Sequence, residues 1–301
     1  MPEGDTVWQT AHRLHTALAG RPLTRADLRV PRFATADLTG RTLLDVTPRG
    51  KHLLARIEGG LTLHSHLRMD GAWRVYATGA RPHGGPEHQI RAILGNADHT
   101  AYGYRLPVLE LIRTADEPDA VGHLGPDLLG PDWGATAAGE ATRRLTADPT
   151  RTLGEALLDQ RNLAGIGNVY KSELAFLAGV TPWLPVGDLD TDVPARLVAT
   201  AHRLLDANKE RPDRRTTTTR RPGTPLHVYG RAGRPCLRCG APIRKAELGD
   251  RVTYWCPSCQ RGPTDTPPAP EPAEQPHPPH PPHPADPPEP TGPADRAEPT
   301  N

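Results

Sequence analysis

The cysteines constrain this 301-residue chain more than any other feature. All four lie in one short segment, as Cys236-x2-Cys239 and, sixteen residues later, Cys256-x2-Cys259. Each pair forms a tight knuckle that points two thiolates at one ion, and two knuckles supply a tetrahedral zinc site. Such a closed site has no position for water, so we predict one structural Zn²⁺. Two disulfides would require an oxidising compartment, and we expect no secretion signal. A redox Cys-x-x-Cys would not require a second copy.

The residues between the knuckles alternate as in a strand. The run 251–255 therefore predicts a hairpin from which Arg251 projects. Its guanidinium is either a solvated charge or a phosphate contact, and the residues alone favour neither.

The charge is unevenly distributed along the chain. The formal net charge is only +1. Residues 263–301 hold seven acidic residues and one basic residue, and the remainder holds 35 basic and 28 acidic residues. The remainder therefore suits a polyanionic partner, although its charge does not identify one. Only four of the basic residues are lysines, Lys51, Lys171, Lys209 and Lys245.

The periodicity of apolar residues predicts an α+β multidomain chain. A helix over 5–19 precedes short alternating runs over about 23–112, which are typical of an antiparallel β-sandwich. Helical periodicity then returns at four segments: 134–146, 152–160, 169–179 and 193–208. We predict a β-sandwich domain (1–127), a helical domain (128–225), a four-cysteine zinc-ribbon hairpin (226–262) and a disordered Pro-rich acidic tail (263–301). No apolar run reaches the roughly 20 residues of a membrane helix, so we expect a cytoplasmic protein.

A glycine-containing turn separates two of the predicted helices, and its two glycines allow the backbone to approach a neighbour closely. Residues 157–170 read Leu-Leu-Asp-Gln-Arg-Asn-Leu-Ala-Gly-Ile-Gly-Asn-Val-Tyr. Asn168 occupies a helix-cap position, and the first N–H groups of the following helix are expected to face outward as a phosphate site. Taken alone, such a turn could equally be a packed corner. The full string closely resembles the helix–two-turn–helix of the formamidopyrimidine-DNA glycosylase and endonuclease VIII family.

The family resemblance gives the amino terminus a catalytic role. If Met1 is removed, Pro2 presents a secondary amine, and an unperturbed α-amino group titrates near pH 8. The resemblance implies that this amine attacks the sugar C1′, displaces the damaged base and forms a Schiff base, after which β,δ-elimination cuts the strand. Glu3 would move protons during these steps. Lys51, in the run 47–54, would contact the phosphate or sugar beside the lesion and assist catalysis.

The resemblance also implies a set of DNA contacts. His66 matches a phosphate-contact position, and Met69 is the candidate wedge that fills the gap left by a flipped nucleotide. Arg68 is a candidate reader of the opposite base. Asn168 and Arg251 complete the predicted set. A methionine near a strand end is also a common core residue.

The amino-terminal run and residues 71–74 are similar to the endonuclease VIII branch of the family, in particular to its actinobacterial members. The resemblance implies a preference for oxidised pyrimidines. Thr6 departs from that branch, where many relatives carry glutamate. One proton-handling carboxylate is therefore either missing or moved to Asp5, and this puts the efficiency of elimination in question. We therefore predict a base-excision-repair glycosylase and AP lyase that binds damaged DNA, acts as a monomer and associates with the bacterial nucleoid. The alternative is a non-catalytic binder of damaged or abasic DNA on the same scaffold, which would not require Pro2 and Glu3.

Overall fold

The computed structural model describes residues 1–218 and 223–264. Of the predicted tail, residues 265–301 lie outside this range. The first element is helix α1 (Gly4–Leu18), which buries Val7, Ala11 and Leu14 along one stripe. The stripe follows from the helical spacing of these residues. Gly20, with φ of 75°, allows the chain to turn into the first strand.

The described residues form eleven strands and six α-helices, besides four short 3-10 helices. The strands are β1 (Arg21–Pro22), β2 (Arg25–Leu28), β3 (Thr42–Arg49), β4 (His52–Ile57), β5 (Leu61–His66), β6 (Ala72–Ala77), β7 (Ile90–Gly95), β8 (His99–Tyr104), β9 (Val108–Arg113), β10 (Arg244–Leu248) and β11 (Arg251–Trp255). The helices after α1 are α2 (Glu117–Val121), α3 (Ala135–Leu145), α4 (Leu153–Leu158), α5 (Asn168–Ala178) and α6 (Val193–Asn208).

Two antiparallel sheets form the amino-terminal half. One has the order β1-β3-β4-β5-β9, and the other has the order β2-β7-β8-β6. Alternate residues of both sheets, such as Leu53 and Leu94, pack together with α1 in one apolar core. This confirms the predicted β-sandwich with its amino-terminal helix.

The five-stranded sheet also carries a tight turn that matters for the site. Strands β3 and β4 pair with Arg49 opposite His52, so Gly50 and Lys51 form the turn between them. Gly50 has φ of 57°, which a glycine adopts without strain.

The helical half encloses a second core. Helix α4 begins with a capping box between Thr152 and Glu155, and α5 ends at Gly179 in the left-handed conformation. The four predicted helices are α3 to α6, with ends within about two residues of the expected ones. Their inward faces meet in a cluster of buried side chains that includes Leu157, Tyr170 and Leu205.

The hairpin of β10 and β11 confirms the predicted zinc-ribbon hairpin. It rests on the helical half, where the indoles of Trp183 and Trp255 meet edge to face at 4.7 Å between ring centroids. Within the described residues, no helix is both long enough and apolar enough to cross a membrane.

Candidate active site and nucleic-acid interface

The amino terminus is held against the start of α5. Glu3 is fully buried, and its carboxylate accepts hydrogen bonds from the backbone N–H groups of Gly167 (2.9 Å), Val169 (2.7 Å) and Tyr170 (3.2 Å). A helix leaves its first N–H groups without intrahelical partners, and an anion there is stabilised by the helix dipole. Pro2 is therefore fixed, half-buried, one residue from an anchored carboxylate.

This arrangement corrects one prediction. The first N–H groups of α5 were expected to face outward as a phosphate site, but the side chain of Glu3 occupies them. The cap residue of α5 is Gly167, and Asn168 is the first residue of the helix rather than its cap. The spacing of residues within 157–170 could not reveal this, because the acceptor comes from a residue 164 positions away.

A contact between two glycines brings the terminus this close. The N–H of Gly4 donates to the carbonyl of Gly165 at 2.9 Å. A Cβ on Gly4 would lie 3.0 Å from the Cα of Gly165, which itself has φ of 114°. The glycine-containing turn thus brings its backbone against a neighbour, and that neighbour is the first turn of α1.

Arg214 is a site residue that the sequence did not reveal. Its guanidinium forms a two-pronged pair with the carboxylate of Asp5, lies 4.0 Å from Glu3 and stacks 5.0 Å from the ring of Tyr170. The Tyr170 hydroxyl also donates to Asp5, at 2.8 Å. Thr6 accepts a further hydrogen bond from Arg214 at 3.1 Å. Asp5 is therefore engaged in an ion pair. The basic segment 211–221 was the sequence signal that could have pointed to Arg214.

Lys51 lies in the β3–β4 turn, which packs on the helical half. The N–H of Gly50 donates to the buried carboxylate of Asp127 at 2.7 Å, and a Cβ on Gly50 would lie 2.9 Å from Ala164. Burial, together with the positive charges of Arg251 and Arg214, lowers the pKa of the Lys51 amine to about 8, although Glu3 opposes the shift. Because Glu3, Arg251 and Arg214 all act on this amine, Lys51 belongs to the same cluster.

A second lysine, Lys171, is a neighbour of Arg251 in this cluster. In the sequence it is distinguished only as one of the four lysines of the chain. It is fully buried on α5, and its ammonium donates to the hydroxyl of Thr253 at 2.5 Å. Burial lowers the pKa of Lys171 to about 7, and Arg251 adds to the shift. The side-chain amide of Asn168 donates to the carbonyl of Val252 at 2.8 Å. The first turn of α5 thereby fixes β11, the strand on which Arg251 lies.

Glu173 is a third residue that sequence reasoning missed. This buried carboxylate on α5 accepts a hydrogen bond from the hydroxyl of Thr216. It also accepts from the backbone N–H groups of His227, Val228 and Tyr229, and each of these three bonds is 2.8 Å long. The available signal was a charged residue on the helical face that Val169, Tyr170 and Phe176 share. Glu173 fixes the segment that leads into the cysteines.

The β5–β6 loop presents the remaining predicted DNA contacts. Arg68 has φ of 45°, and its N–H donates to Nδ1 of His66 at 2.9 Å. Met69 is 51% exposed, which excludes the alternative reading of a core methionine. Gly71 closes the loop by donating to the carbonyl of Leu67 at 2.9 Å.

The four cysteine sulfurs fit a zinc ion. All lie within 4.8 Å of one another, with 3.9 Å between Cys236 and Cys259 and 3.5 Å between Cys239 and Cys256. Sulfurs at the usual Zn–S distance in a tetrahedron would be about 3.8 Å apart. With zinc bound, these residues would hold the hairpin in place and leave no ligand position for chemistry.

Comparisons with known proteins cover most of the chain. Residues 1–104 match the formamidopyrimidine-DNA glycosylase N-terminal domain, and residues 124–219 match the H2TH domain of that enzyme. Residues 233–262 match the zinc finger found in FPG and IleRS.

Whole proteins match over nearly their full length. The chain is 69% identical to probable endonuclease 8 2 of Streptomyces coelicolor, covering 89% of this chain and 96% of that protein. It is 51% identical to the DNA-(apurinic or apyrimidinic site) lyase Nei2 of Mycolicibacterium smegmatis, covering 86% and 99%. Among solved structures, the complex of Lactococcus lactis Fpg with DNA containing an abasic site is similar, with a TM-score of 0.73 and 25% identity over 86% of this chain and all of the other.

Proposed function

The chain belongs to the family of formamidopyrimidine-DNA glycosylase and endonuclease VIII, and we propose that it performs the reactions of that family through a Schiff base on Pro2. It is a base-excision-repair DNA glycosylase and AP lyase that acts on damaged DNA, as its relatives' names and DNA complexes indicate. The observation that carries the mechanism is the position of Pro2, one residue from a buried carboxylate clasped by α5.

Pro2 is the nucleophile once Met1 has been removed. Its unprotonated amine attacks C1′ of the flipped nucleotide, the N-glycosyl bond breaks, and the base leaves with a proton. The C1′–O4′ bond then breaks and O4′ takes up a proton, which leaves a ring-opened iminium between Pro2 and C1′. This iminium acidifies the C2′ proton, so that elimination breaks the bond to the 3′ phosphate. A second elimination releases the sugar and leaves phosphate on both ends of the gap.

Glu3 is the proton-handling residue. Its three N–H donors and the α5 dipole fix the carboxylate beside Pro2 in one orientation. Preorganisation of this kind lets a carboxylate exchange protons with the sugar ring oxygen and the leaving groups without first reorganising solvent. Asp5 is paired with Arg214, which does not favour a second proton-handling role at that position.

Lys51 and five further residues contact DNA. Lys51 contacts the phosphate or sugar beside the lesion. Its lowered pKa leaves part of the amine uncharged at neutral pH. Its position on a turn held by Asp127 supports a fixed contact. The other proposed contacts are His66, Arg68, Met69, Asn168 and Arg251. Met69, exposed at the tip of its loop, is the wedge that replaces the extruded base.

The preferred lesions are oxidised pyrimidines, and the strand is cut by β,δ-elimination. High identity to proteins named endonuclease 8 supports this choice. The enzyme acts as a monomer, since Pro2, Lys51 and the hairpin that carries Arg251 all come from one chain. Its site of action is the nucleoid of the bacterial cytoplasm, where its DNA substrate lies.

Borohydride trapping on DNA with an abasic site tests this mechanism. The protein without Met1 should form a covalent adduct and cut the strand. Pro2→Gly, which replaces the secondary amine by a primary one, should sharply weaken turnover, and Glu3→Gln should bind DNA but turn over at least about a hundredfold more slowly. His88→Gln, at an exposed residue outside the site, is the control. Binding without adduct or cleavage by the processed protein would replace this mechanism with the non-catalytic binder.

A further inference from the structure

A row of polar side chains crosses the outer face of the five-stranded sheet. The strand register places His52 opposite His66, and His64 opposite Glu110. Alternate residues of a strand share a face, so His52, His64, His66 and Glu110 all lie on the side away from the sandwich core. The row starts beside Lys51 and ends at the half-exposed carboxylate of Glu110.

Hydrogen bonds fix the tautomers along this row. Nδ1 of His64 lies 3.1 Å from Glu110, and Nε2 of His64 lies 2.8 Å from Nδ1 of His52. An ionised carboxylate only accepts, so Nδ1 of His64 donates to Glu110, and we assign Nε2 of His64 as the acceptor from Nδ1 of His52. His52 therefore donates through Nδ1, and its Nε2 carries a lone pair.

Positive and neutral groups surround His52, and the strand register places Arg49 opposite it. The ring of His66 meets it edge-on at 4.8 Å, that of His123 lies 6.4 Å away, and Lys51 is the preceding residue. Burial first, and then His66, His64, His123 and Lys51, lower the pKa of His52 to about 3. Glu110 is the carboxylate joined to the row, and it reaches His52 only through His64.

We propose that His52 is a further phosphate-binding residue, which takes up a proton at Nε2 when the DNA backbone enters beside Lys51, with His64 and Glu110 as positioning residues. The inference rests on the proposed function because it requires Lys51 to lie at the backbone. The proton comes from solvent. The Nδ1 proton stays in its hydrogen bond to His64, and no other bond forms or breaks.

The chemistry favours this role for two reasons. A phosphate supplies the anion that His52 lacks, and an opposite charge within a few ångströms favours the charged form of an imidazole. The new cation then donates at both nitrogens, to phosphate and to His64, and Glu110 stabilises it through His64. His66 differs, because its Nδ1 accepts from the backbone of Arg68 and its Nε2 already carries a proton in the neutral ring.

Calorimetric titration with duplex DNA containing an uncleavable tetrahydrofuran abasic analogue tests the proposal. The full chain is titrated at about pH 6.5 in two buffers of different ionisation enthalpy, which yields the number of protons taken up. Wild-type protein should take up protons. His52→Gln should lose most of that uptake and bind about tenfold more weakly, the size of one charge-assisted hydrogen bond. His88→Gln should match the wild type.

Two further variants separate His52 from its neighbours. Glu110→Gln keeps the shape but removes the charge, and should reduce the uptake while His52 is still present. If His66→Gln abolishes the uptake and His52→Gln retains it, the proposal is overturned. Borohydride trapping separates the two proposals: an adduct together with unchanged uptake in His52→Gln refutes only this inference, whereas no adduct from wild type refutes the Pro2 mechanism. Equal thermal unfolding of the variants ensures that a loss of uptake does not arise from misfolding.

Discussion

The carboxylate of Glu3 fills the space that a side chain on residue 167 would require. A Cβ built on Gly167 would lie 2.5 Å from Cδ of Glu3, well inside contact distance. The two residues are also joined by a hydrogen bond of 2.9 Å. Glycine at position 167 is therefore a requirement of the site, although its φ is one that any residue can adopt.

Gly167→Ala should displace Glu3 and reduce activity. The added methyl group costs about 1–3 kcal/mol of stability, as overpacking does elsewhere, and turnover on abasic DNA should fall with it. Gly139→Ala is the matched control, since no atom lies within 4 Å of its Cβ; it should stabilise α3 by about 0.5–1 kcal/mol. Urea unfolding and strand-cleavage rates measure both effects. Equal behaviour of the two variants would show that Glu3 is not held as described.

Arg214→Gln should destabilise the protein strongly. It would leave the carboxylate of Asp5 buried without its charged partner, which costs about 3–5 kcal/mol in comparable pairs. The double variant Asp5→Asn, Arg214→Gln should recover part of this loss, because no unpaired charge remains. Chemical unfolding of the single and double variants gives the coupling free energy. A double variant no more stable than Arg214→Gln would contradict the pairing.

Lys171→Met should change how stability depends on pH. The unfolded chain holds this proton up to the ordinary lysine pKa of 10.5, whereas the folded chain releases it near pH 7. Between these values only the unfolded state binds the proton, so Lys171 makes stability rise with pH, by up to about 1.4 kcal/mol per unit. Lys171→Met should be more stable than wild type below pH 7, and its free energy of unfolding should lack the rise with pH that Lys171 causes.

Lys245→Met is the control for this measurement, because Lys245 is exposed on β10. Free energies of unfolding at about pH 7 and about pH 9 are sufficient to obtain the slope. The same slope in Lys171→Met and wild type would mean that the buried amine keeps its proton.

Arg251→Gln should weaken the salt dependence of DNA binding. Each neutralised phosphate contributes about 0.9 to the slope of log K against log salt, so losing one contact reduces the slope by about that amount. Arg143→Gln, on the exposed side of α3, should leave it unchanged. Fluorescence anisotropy from about 50 to about 200 mM salt measures the slopes. An unaltered slope for Arg251→Gln would remove this residue from the DNA contacts.

Chelation of zinc should weaken DNA binding, and by more than Arg251→Gln does. Without the ion the two knuckles lose their connection, and the hairpin that positions Arg251 loses its support. Cys256→Ser should behave like the chelated protein. Affinity for abasic DNA before and after chelation, with zinc added back, gives the result. Full affinity in the metal-free protein would show that the hairpin does not contribute to binding.

The sequence predicted the local features well. Helical spacing predicted α1 and α3 to α6, the alternation over 251–255 predicted the hairpin, and the cysteine spacing predicted the metal ligands. Four sulfurs from one short segment must converge on one ion, so no long-range information was required. The glycines of the turn likewise indicated a close backbone approach, which the contact between Gly4 and Gly165 confirms.

The distant partnerships escaped prediction. The pairs Asp5–Arg214, Glu3–Gly167 and Lys171–Thr253 join residues 209, 164 and 82 positions apart. Neither propensity nor periodicity carries information on such pairs, because they depend on how the sandwich, the helices and the hairpin pack. A buried lysine and an exposed one look alike in a sequence, and only burial separates Lys171 from Lys245.

The docking of Glu3 on α5 also orders events during synthesis. The donors to Glu3 begin 164 residues downstream, and Arg214, which contacts the carbonyl of Met1 at 3.4 Å, is farther still. While a ribosome is translating the first half of the chain, the terminus has none of these partners. An aminopeptidase can therefore reach Met1 before the residues that anchor Glu3 have been synthesised.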